Sequence, residues 1–297
     1  MSKELVIDYF QKLQDSICAD LHAFDSAGKF KEDKWEHHSG GGGRTRTFQG
    51  EIIEKGGVNF SAVEGVTSES LQKQLQISEE LNFTATGVSI VLHPHNPFVP
   101  IIHMNVRYFE LSDGTYWFGG GIDLTPHFVF EKDCVFFHSK LKEICDKHNV
   151  NHYPKFKKWA DDYFYIKHRE ETRGIGGIFF DQLSENESIT KEEVFDFVKS
   201  VGEVFTELYL TIAKKRYQLP FSESDKKWQF VRRGRYVEFN LVWDRGTKFG
   251  LESGGRTESI LMSLPPTAQW FYDFQPQKNT AEEISMRYFK KGIEWVM

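Results

Sequence analysis

The segment Lys157–Asp181, KKWADDYFYIKHREETRGIGGIFFD, combines a predicted helix, a glycine-rich turn and a predicted strand. Four of its residues recur at helical spacing, namely Trp159, Tyr163, Ile166 and Glu170. This period predicts a helix over 154–172. The glycines within 174–177 allow the unusual backbone dihedrals of a sharp turn, and the apolar residues 178–181 are typical of a short strand. The segment therefore predicts a helix and a strand that meet at a tight corner.

Basic side chains are concentrated at this predicted corner. His168, Arg169 and Arg173 follow the aromatic triplet Tyr163–Tyr165 within a few residues. A cationic cluster beside several rings suits an anionic, aromatic ligand. The alternative interpretation is a capped helix end, where basic residues interact favourably with the negative end of the helix dipole. The residues of this segment leave both interpretations open.

The same segment resembles the signature of oxygen-dependent coproporphyrinogen III oxidases. That signature is Lys-x-Trp-Cys, an aromatic triplet, and then His-Arg-x-Glu-x-Arg-Gly-x-Gly-Gly-x-Phe-Phe-Asp. Five further stretches extend the resemblance over nearly the whole chain, at 41–65, 87–110, 117–128, 237–250 and 253–266. One position departs from the signature, because Ala160 stands where the family usually has Cys. If the chain is active, that thiol is not needed for the chemistry.

Composition predicts a globular chain, whose length allows one large domain and does not exclude two; we expect a single domain spanning 1–297. Charged residues make up 27% of the 297 residues and the mean hydropathy is −0.48, which excludes both a disordered chain and one dominated by apolar spans. No apolar run approaches the ~20 residues that cross a bilayer, and MSKELVIDYF lacks a signal-peptide core. The three cysteines, Cys18, Cys134 and Cys145, are compatible with a reducing compartment. We therefore expect a cytoplasmic protein without a membrane span.

The net charge of −6 argues against bulk binding to nucleic acid, and a polyanionic ligand would need a local concentration of arginine. The candidate arginines are Arg107, Arg169, Arg173, Arg232, Arg233, Arg235, Arg245 and Arg256. An alternative is that the run Arg232–Tyr236 and nearby aromatics bind single-stranded nucleic acid. The acidic balance of the chain counts against this alternative.

The order of predicted elements indicates an α+β fold, in which a large, mainly antiparallel sheet is flanked by helices on both faces. Strands are predicted at 48–54, 58–64, 86–92, 100–111, 115–122, 178–181, 229–243 and 258–263. Helices are predicted at the N-terminus, with Leu5, Tyr9, Leu13 and Ile17 on one stripe, and at 132–148, 154–172 and 190–217. Capping boxes at Thr190–Glu193 and Thr280–Glu283 predict two helix starts. The glycines at 40–43 predict a mobile lid or, less well, a phosphate loop.

The predicted strand Ile101–Leu111 carries a polar face. Its alternation places Ile102, Met104, Val106 and Tyr108 on an ordinary core face. The opposite face carries His103, Asn105 and Arg107, and Ser89 lies on the neighbouring predicted strand. A solvated sheet face is the alternative, but such faces usually carry Lys, Glu and Thr. We therefore interpret this face as the floor of a site.

Asp123 follows the glycines at 119–121 at the end of the next predicted strand. Three glycines leave space beside the backbone, so a carboxylate placed after them could accept hydrogen bonds from a bulky ligand. The alternative is a turn aspartate that caps the Thr125–Pro126 corner. Asp244 and Arg245 offer another carboxylate and guanidinium, for which the alternative is a structural ion pair.

The resemblance implies roles for several of these residues. The predicted catalytic residues are His103, Asp123 and Arg107. The resemblance implies that His103 transfers a proton, that Asp123 contacts the pyrrole nitrogens, and that Arg107 binds substrate. Arg107, Arg173 and Arg256 are assigned by hypothesis to the propionates. The wider predicted substrate-binding set is Ser89, Asn105, Val106, Arg107, Arg169, Arg173, Asp244, Arg245, Gly254, Gly255 and Arg256.

The histidines raise the question of a metal. His93 and His95 form an H-x-H pair, whose geometry Pro94 weakens. The resemblance implies four ligands of a divalent cation, His93, His103, His138 and His168. No carboxylate or cysteine lies at a recognisable ligand spacing, so the preferred interpretation treats these histidines as acids, bases and propionate contacts. A metal is therefore not expected to be required.

The resemblance also implies the reaction, an oxidative decarboxylation of two propionates of coproporphyrinogen III to vinyl groups. Dioxygen would be the co-substrate and protoporphyrinogen IX the product, with no required cofactor. It further implies a homodimer, formed through the region 236–271. The alternative is a homologue that binds a tetrapyrrole without oxidising it, as a carrier or sensor.

Overall fold

The computed structural model describes residues 1–252 and 255–296. Nine strands are assigned in that part of the chain: β1 Lys29–Glu36, β2 Gly41–Gln49, β3 Ile53–Val66, β4 Asn82–Pro94, β5 Ile101–Leu111, β6 Tyr116–Thr125, β7 Tyr165–Ile166, β8 Glu171–Thr172 and β9 Gly177–Leu183. Seven of them form one antiparallel sheet in the order β1-β2-β3-β4-β5-β6-β9. Neighbouring strands are consecutive in the chain except at β6 and β9, so short hairpins build most of the sheet.

The described helices are α1 Lys3–Phe24, α2 Glu69–Leu75, α3 Glu131–His148, α4 His152–Tyr163, α5 Lys191–Arg216, α6 Glu223–Glu238, α7 Arg245–Glu252, α8 Thr257–Leu261 and α9 Ala281–Met286. A 3₁₀ turn spans Lys167–Arg169 and a π-helical turn spans Phe239–Trp243. None of the described helices is long and apolar enough to cross a membrane.

One face of the sheet forms the main core. Even-numbered residues of β4, β5 and β6, such as Ile90, Met104 and Ile122, are fully buried in one hydrophobic cluster with α1, α3 and α5. On the opposite face Tyr236 of α6 packs with Val91 and Ile101. Helices therefore cover both faces, as the sequence predicted. The predicted single-domain α+β fold with a mainly antiparallel sheet is confirmed.

Two predicted strands in the C-terminal third are wrong. The region 229–243 is helical, in α6 and the π-helical turn, and 258–263 contains α8. A capping box between Ser222 and Asp225 starts α6, and the buried residues that follow, such as Trp228, Val231 and Arg232, recur at helical spacing. The apolar alternation after Tyr236 arises inside a helical turn and not from the two-residue period of a strand.

Other element boundaries differ from the prediction. The helix predicted over 154–172 ends at Tyr163, because Tyr165 and Thr172 then pair in a two-stranded ribbon and Glu170 adopts a left-handed φ of 54°. The predicted glycine lid is mostly strand β2, where a Cβ on Gly42 would lie 2.1 Å from the carbonyl oxygen of Trp35. Glycine therefore lets two strands approach at this position. Strand β1 was not predicted.

The predicted helix starts and the predicted hairpin agree more closely with the structure. Both halves of the Thr190–Glu193 capping box form, and the Thr280 side chain accepts a hydrogen bond from the Glu283 amide. Residues 112–115 connect β5 to β6 as predicted. In α1 the buried stripe is rotated from the predicted one, since Leu5 is 54% exposed. The stripe consists of Val6, Phe10, Leu13, Ile17 and Leu21.

Candidate active site

The polar face of β5 forms the floor of the candidate site. The sheet register aligns a row of residues across the strands, so that Asn59, Ser89 and Asn105 are direct partners. A second row contains Val91, His103 and Asp123 as direct partners. Directly opposite residues of neighbouring strands lie on the same face of a sheet. The predicted floor of His103, Asn105 and Arg107, with Ser89 beside it, is thus a single surface. Val106 lies on the opposite face, fully buried in the core.

His103 and Asp123 form a hydrogen-bonded pair on this floor. Nδ1 of His103 lies 2.8 Å from Oδ1 of Asp123. An ionised carboxylate only accepts hydrogen bonds, so Nδ1 carries a proton, and in the neutral form of the imidazole Nε2 presents its lone pair. Nε2 has no hydrogen-bond partner among the described residues, and the His103 side chain is 23% exposed. His103 is therefore arranged as a proton acceptor at the surface of the floor.

Asp123 is almost completely buried and is also held by Arg173. One Nη atom of Arg173 lies 2.7 Å from each carboxylate oxygen, and both side chains are only 2% exposed. Burial by itself would raise the pKa of the Asp123 carboxyl, but the Arg173 charge and the His103 hydrogen bond hold that pKa below its usual value. Asp123 is therefore an ionised, paired carboxylate at neutral pH.

Arg173 reaches Asp123 because the chain after it runs close against β6. A Cβ on Gly174 would lie 2.2 Å from the Leu124 carbonyl oxygen. The guanidinium carbon of Arg173 then lies 4.3 Å from the ring centroid of Phe164, 4.7 Å from that of Tyr236 and 4.8 Å from that of Phe239. These three rings pack around the guanidinium, whose charge interacts favourably with their faces.

Arg107 occupies a more open part of the floor. Its guanidinium lies 2.9 Å from Oδ1 of Asp181 and donates a second 2.9 Å hydrogen bond to Oδ1 of Asn105. Both ion-pair side chains are about one-third exposed, at 36% and 32%. A Cβ on Gly119 would lie 2.7 Å from Nε of Arg107. The first of the three predicted space-clearing glycines thus makes room for this arginine.

The predicted basic cluster of His168, Arg169 and Arg173 is divided between two carboxylates. Arg173 binds Asp123, whereas His168 and Arg169 bind Glu238 at the end of α6. Arg169 makes two 2.8 Å hydrogen bonds to Glu238, and His168 makes one of 2.8 Å. Burial opposes ionisation of Glu238, but these donors and the Trp270 indole lower its pKa to about 2. In this structure Arg169 therefore ties the segment after α4 to α6.

Glu238→Gln is expected to destabilise the protein at pH 7, with a loss that shrinks as the pH falls from about 4.5 towards 2. The pKa of Glu238 is lower in the folded protein than in the unfolded chain, so its ionised form stabilises the fold fully when the pH is above the unfolded pKa. That stabilisation is lost as the pH falls towards the folded pKa, because the carboxyl is then protonated in both states. Urea denaturation at several pH values measures the difference. The exposed Glu187→Gln is the matched control, with no expected effect. A difference that stays constant from pH 7 to pH 3 would contradict this role.

Asp244 and Arg245 do not bind each other in the described contacts. Asp244 accepts a 2.7 Å hydrogen bond from the Tyr163 hydroxyl and two from Thr247, at the first turn of α7. The guanidinium of Arg245 lies 5.0 Å from the Tyr163 ring centroid and its residue is exposed. Asp244 is thus a helix cap that also anchors α4, and Arg245 is an exposed cation without a carboxylate partner among the described residues.

Arg256 lies at the far end of the same floor. It binds Asp33, which is aligned through Thr45, Asn59 and Ser89 with Asn105. Four strand spacings of ~4.8 Å place Asp33 about 19 Å from Asn105. The amide of Gly255 donates to the Gly250 carbonyl, and Gly254 lies outside the described residues. The floor therefore has one arginine near each end.

The four predicted metal-binding histidines have separate environments. His138 is buried in the main core, with its ring nitrogens 3.0 Å from the Tyr153 hydroxyl and the Ile175 carbonyl oxygen. His93 binds the Ser263 carbonyl, and His168 binds Glu238. Within residues 1–252 and 255–296, no three His, Cys, Asp or Glu side chains are grouped so that they could hold a metal ion. The described donors do not fit a shared four-histidine metal site.

The arginines of the predicted nucleic-acid alternative are structural. Arg232 is buried against Glu171 at 2.8 Å, and Arg233 is buried against Glu54 at 2.6 Å. They do not form an exposed basic strip.

The buried Ala160 lies in a small cluster with Phe164, Phe179 and Phe239, behind the rings that enclose Arg173. A cysteine at this position would be buried among apolar side chains.

Two residues of the site were not singled out from the sequence. Asp181 binds Arg107, and Asn240 binds Arg173. Asp181 ends the signature segment, so its position beside the floor could have been noticed. Asn240 lies in the region wrongly predicted as a strand, where no sequence signal connects it to a residue 67 positions earlier.

A comparison with protein families identifies the family of the chain. A family model described as coproporphyrinogen III oxidase matches residues 5–295. The match includes every residue of the floor and of the segments that cover it. The chain therefore belongs to the coproporphyrinogen III oxidase family, which acts in porphyrin biosynthesis.

Proposed function

We propose that this protein converts two propionates of coproporphyrinogen III to vinyl groups, with O2 as the oxidant and protoporphyrinogen IX as the product. For each propionate, the CH2 next to the pyrrole loses a hydride equivalent and the bond to the carboxylate breaks to release CO2. Dioxygen takes the hydride equivalent and one proton to give H2O2. Each vinyl group thus requires one O2 and yields one CO2 and one H2O2.

The observation that carries this proposal is Nε2 of His103, which has no hydrogen-bond partner among the described residues and belongs to a ring that is hydrogen-bonded to the buried Asp123–Arg173 pair. We assign His103 as the base that takes the pyrrole N–H proton while the hydride equivalent leaves, and that returns it when CO2 leaves. A positioned base of this kind contributes roughly 10²–10⁴-fold to a rate. The Asp123 carboxylate stabilises the imidazolium that forms.

Arginines on the floor would bind the substrate carboxylates. Arg107 is the partly exposed guanidinium nearest His103 and Asn105, so we assign it to a propionate. Arg256 is suited to a carboxylate at the far end of a wide substrate. Each of these arginines is already paired with a carboxylate, Arg107 with Asp181 and Arg256 with Asp33, so a substrate carboxylate would displace that partner to bind the guanidinium.

The geometry favours different roles for Asp123 and Arg173 from those expected. Asp123 is only 1% exposed and is hydrogen-bonded to both His103 and Arg173, so direct contact with pyrrole N–H groups would require a neighbour to move. Arg173 is enclosed by rings and by Asp123, away from solvent. We therefore propose that the pair orients His103, and that neither residue binds a propionate in this arrangement.

No cofactor is assigned in this mechanism, since the reduced, electron-rich pyrrole can itself react with O2. The protein holds the ring, moves one proton and keeps water from a reactive intermediate.

We also propose a cytoplasmic location and a homodimer formed through 236–271. Apolar side chains of this region that are 41–51% exposed support the dimer: Leu241, Val242, Leu251, Trp270 and Phe271.

The proposal is tested by adding reduced coproporphyrinogen III to the purified chain in air-saturated buffer and, in parallel, under argon. We expect divinyl product only in air, measured by chromatography after chemical oxidation to the porphyrin. Tight binding of the substrate without product in air would support a carrier or sensor instead. Product at the same rate under argon would overturn the role of O2.

A further inference from the structure

The π-helical turn Phe239–Trp243 interrupts the regular period of the chain after α6. Such turns are rare and often occur at functional sites. Here the turn directs Phe239 and Asn240 towards the floor, where both are buried, while Leu241 and Val242 are 44% and 43% exposed. The irregular turn thus places one polar side chain, Asn240, in the buried layer that covers the floor.

Asn240 contacts the guanidinium on the side that Asp123 leaves free. Its Oδ1 accepts a 3.0 Å hydrogen bond from one Nη of Arg173, while the other Nη binds the Asp123 carboxylate. Asn240 is 4% exposed, so water does not compete strongly for this hydrogen bond. The side chains form one continuous chain of contacts from Asn240 through Arg173 and Asp123 to His103.

We propose that Asn240 is a positioning residue, which holds Arg173, and through it Asp123, in the orientation that presents Nε2 of His103 to the substrate. This inference rests on the proposed role of His103. A neutral acceptor is suited to this position because it fixes the guanidinium while leaving the Arg173 charge to Asp123. A carboxylate here would divide that charge between two anions.

Two variants separate positioning from general stability. Asn240→Ala removes the acceptor, so we expect kcat to fall about 10-fold or more while KM changes less than about 3-fold, since small displacements of a reacting group are costly. Asn240→Asp keeps an oxygen at the same place. We expect it to recover most of kcat and to move the acid limb of the pH–rate profile to higher pH, because the added negative charge favours the His103 imidazolium.

A second measurement does not depend on turnover. The ¹⁵N signals of His103, identified by their loss in His103→Gln, report its titration in the protein without substrate. We expect the His103 midpoint to rise in Asn240→Asp. If the protein does not catalyse the proposed reaction, this rise in the His103 midpoint is still expected. The measurement therefore distinguishes a failure of the positioning role of Asn240 from a failure of the proposed function.

The control is Gln229→Leu, which removes a buried side chain of α6 that binds Pro94 and Lys226 and lies outside the chain of contacts to His103. It should lower stability without moving the His103 midpoint. The inference is overturned if Asn240→Ala retains kcat within about 2-fold. It is also overturned if Asn240→Asp is as impaired as Asn240→Ala, or leaves the His103 midpoint unchanged.

Discussion

Asp123→Asn is expected to lower kcat by about 10³-fold or more and the free energy of unfolding by ~3 kcal/mol. The amide can present its NH2 group to His103 and thereby select the wrong tautomer, which removes the lone pair from Nε2. It also leaves the buried Arg173 charge without its counter-ion. Steady-state kinetics and urea denaturation measure the two effects on the same protein.

A double variant separates the catalytic loss from the structural one. In Asp123→Asn/Arg173→Gln no buried charge remains unpaired, so most of the lost stability should return while kcat stays low. Asp133→Asn is the matched control, because it removes the largely buried partner of Arg216 far from the floor. It should cost stability with little change in kcat. Recovery of kcat in the double variant would show that Asp123 acts only by neutralising Arg173.

Arg107→Ala is expected to weaken binding of coproporphyrin III, the fluorescent oxidised form of the substrate, by about 10- to 100-fold. A hydrogen bond to a charged group contributes ~1.5–3 kcal/mol, and each ~1.4 kcal/mol corresponds to a factor of ten in Kd. The loss should appear mainly in Kd and KM, because the arginine binds a carboxylate that is not protonated or deprotonated during the reaction. Fluorescence titration measures Kd directly.

A second substitution tests the same assignment, because it should change the Kd in the opposite direction. Asp181→Asn removes the resident carboxylate that occupies Arg107 in the free protein, so it should tighten binding by a few-fold. Arg287→Ala, which breaks only an exposed ion pair on α9, should leave Kd unchanged. Unchanged binding in Arg107→Ala, or weaker binding in Asp181→Asn, would remove Arg107 from the propionate site.

The floor of the site was predictable because β5 is a central strand whose two faces differ in polarity. The two-residue period placed His103, Asn105 and Arg107 on one face whichever strands lay beside it. The register then puts His103 opposite Asp123 on β6, as the short 112–115 hairpin allows. Local pattern and short connections were sufficient for this part of the fold.

The partners of these residues could not be predicted in the same way. Arg173 binds Asp123 across 50 residues of sequence, and Asn240 binds Arg173 across 67. Those contacts depend on how α4, α6 and the π-helical turn pack on the sheet. The apolar alternation from Val237 to Trp243 indicated a strand, yet the helix that starts at the Ser222 cap continues through it. Tertiary packing decided the conformation where the local pattern was ambiguous.

The most direct test of the account is the oxygen balance of the wild-type protein and Asp123→Asn, measured side by side with an oxygen electrode. With reduced coproporphyrinogen III, the wild type should consume one O2 and release one H2O2 for each CO2 formed. The variant should consume O2 no faster than the substrate does without protein. Equal O2 consumption by the two proteins, or CO2 release by the wild type without O2 uptake, would contradict the proposed reaction at this site.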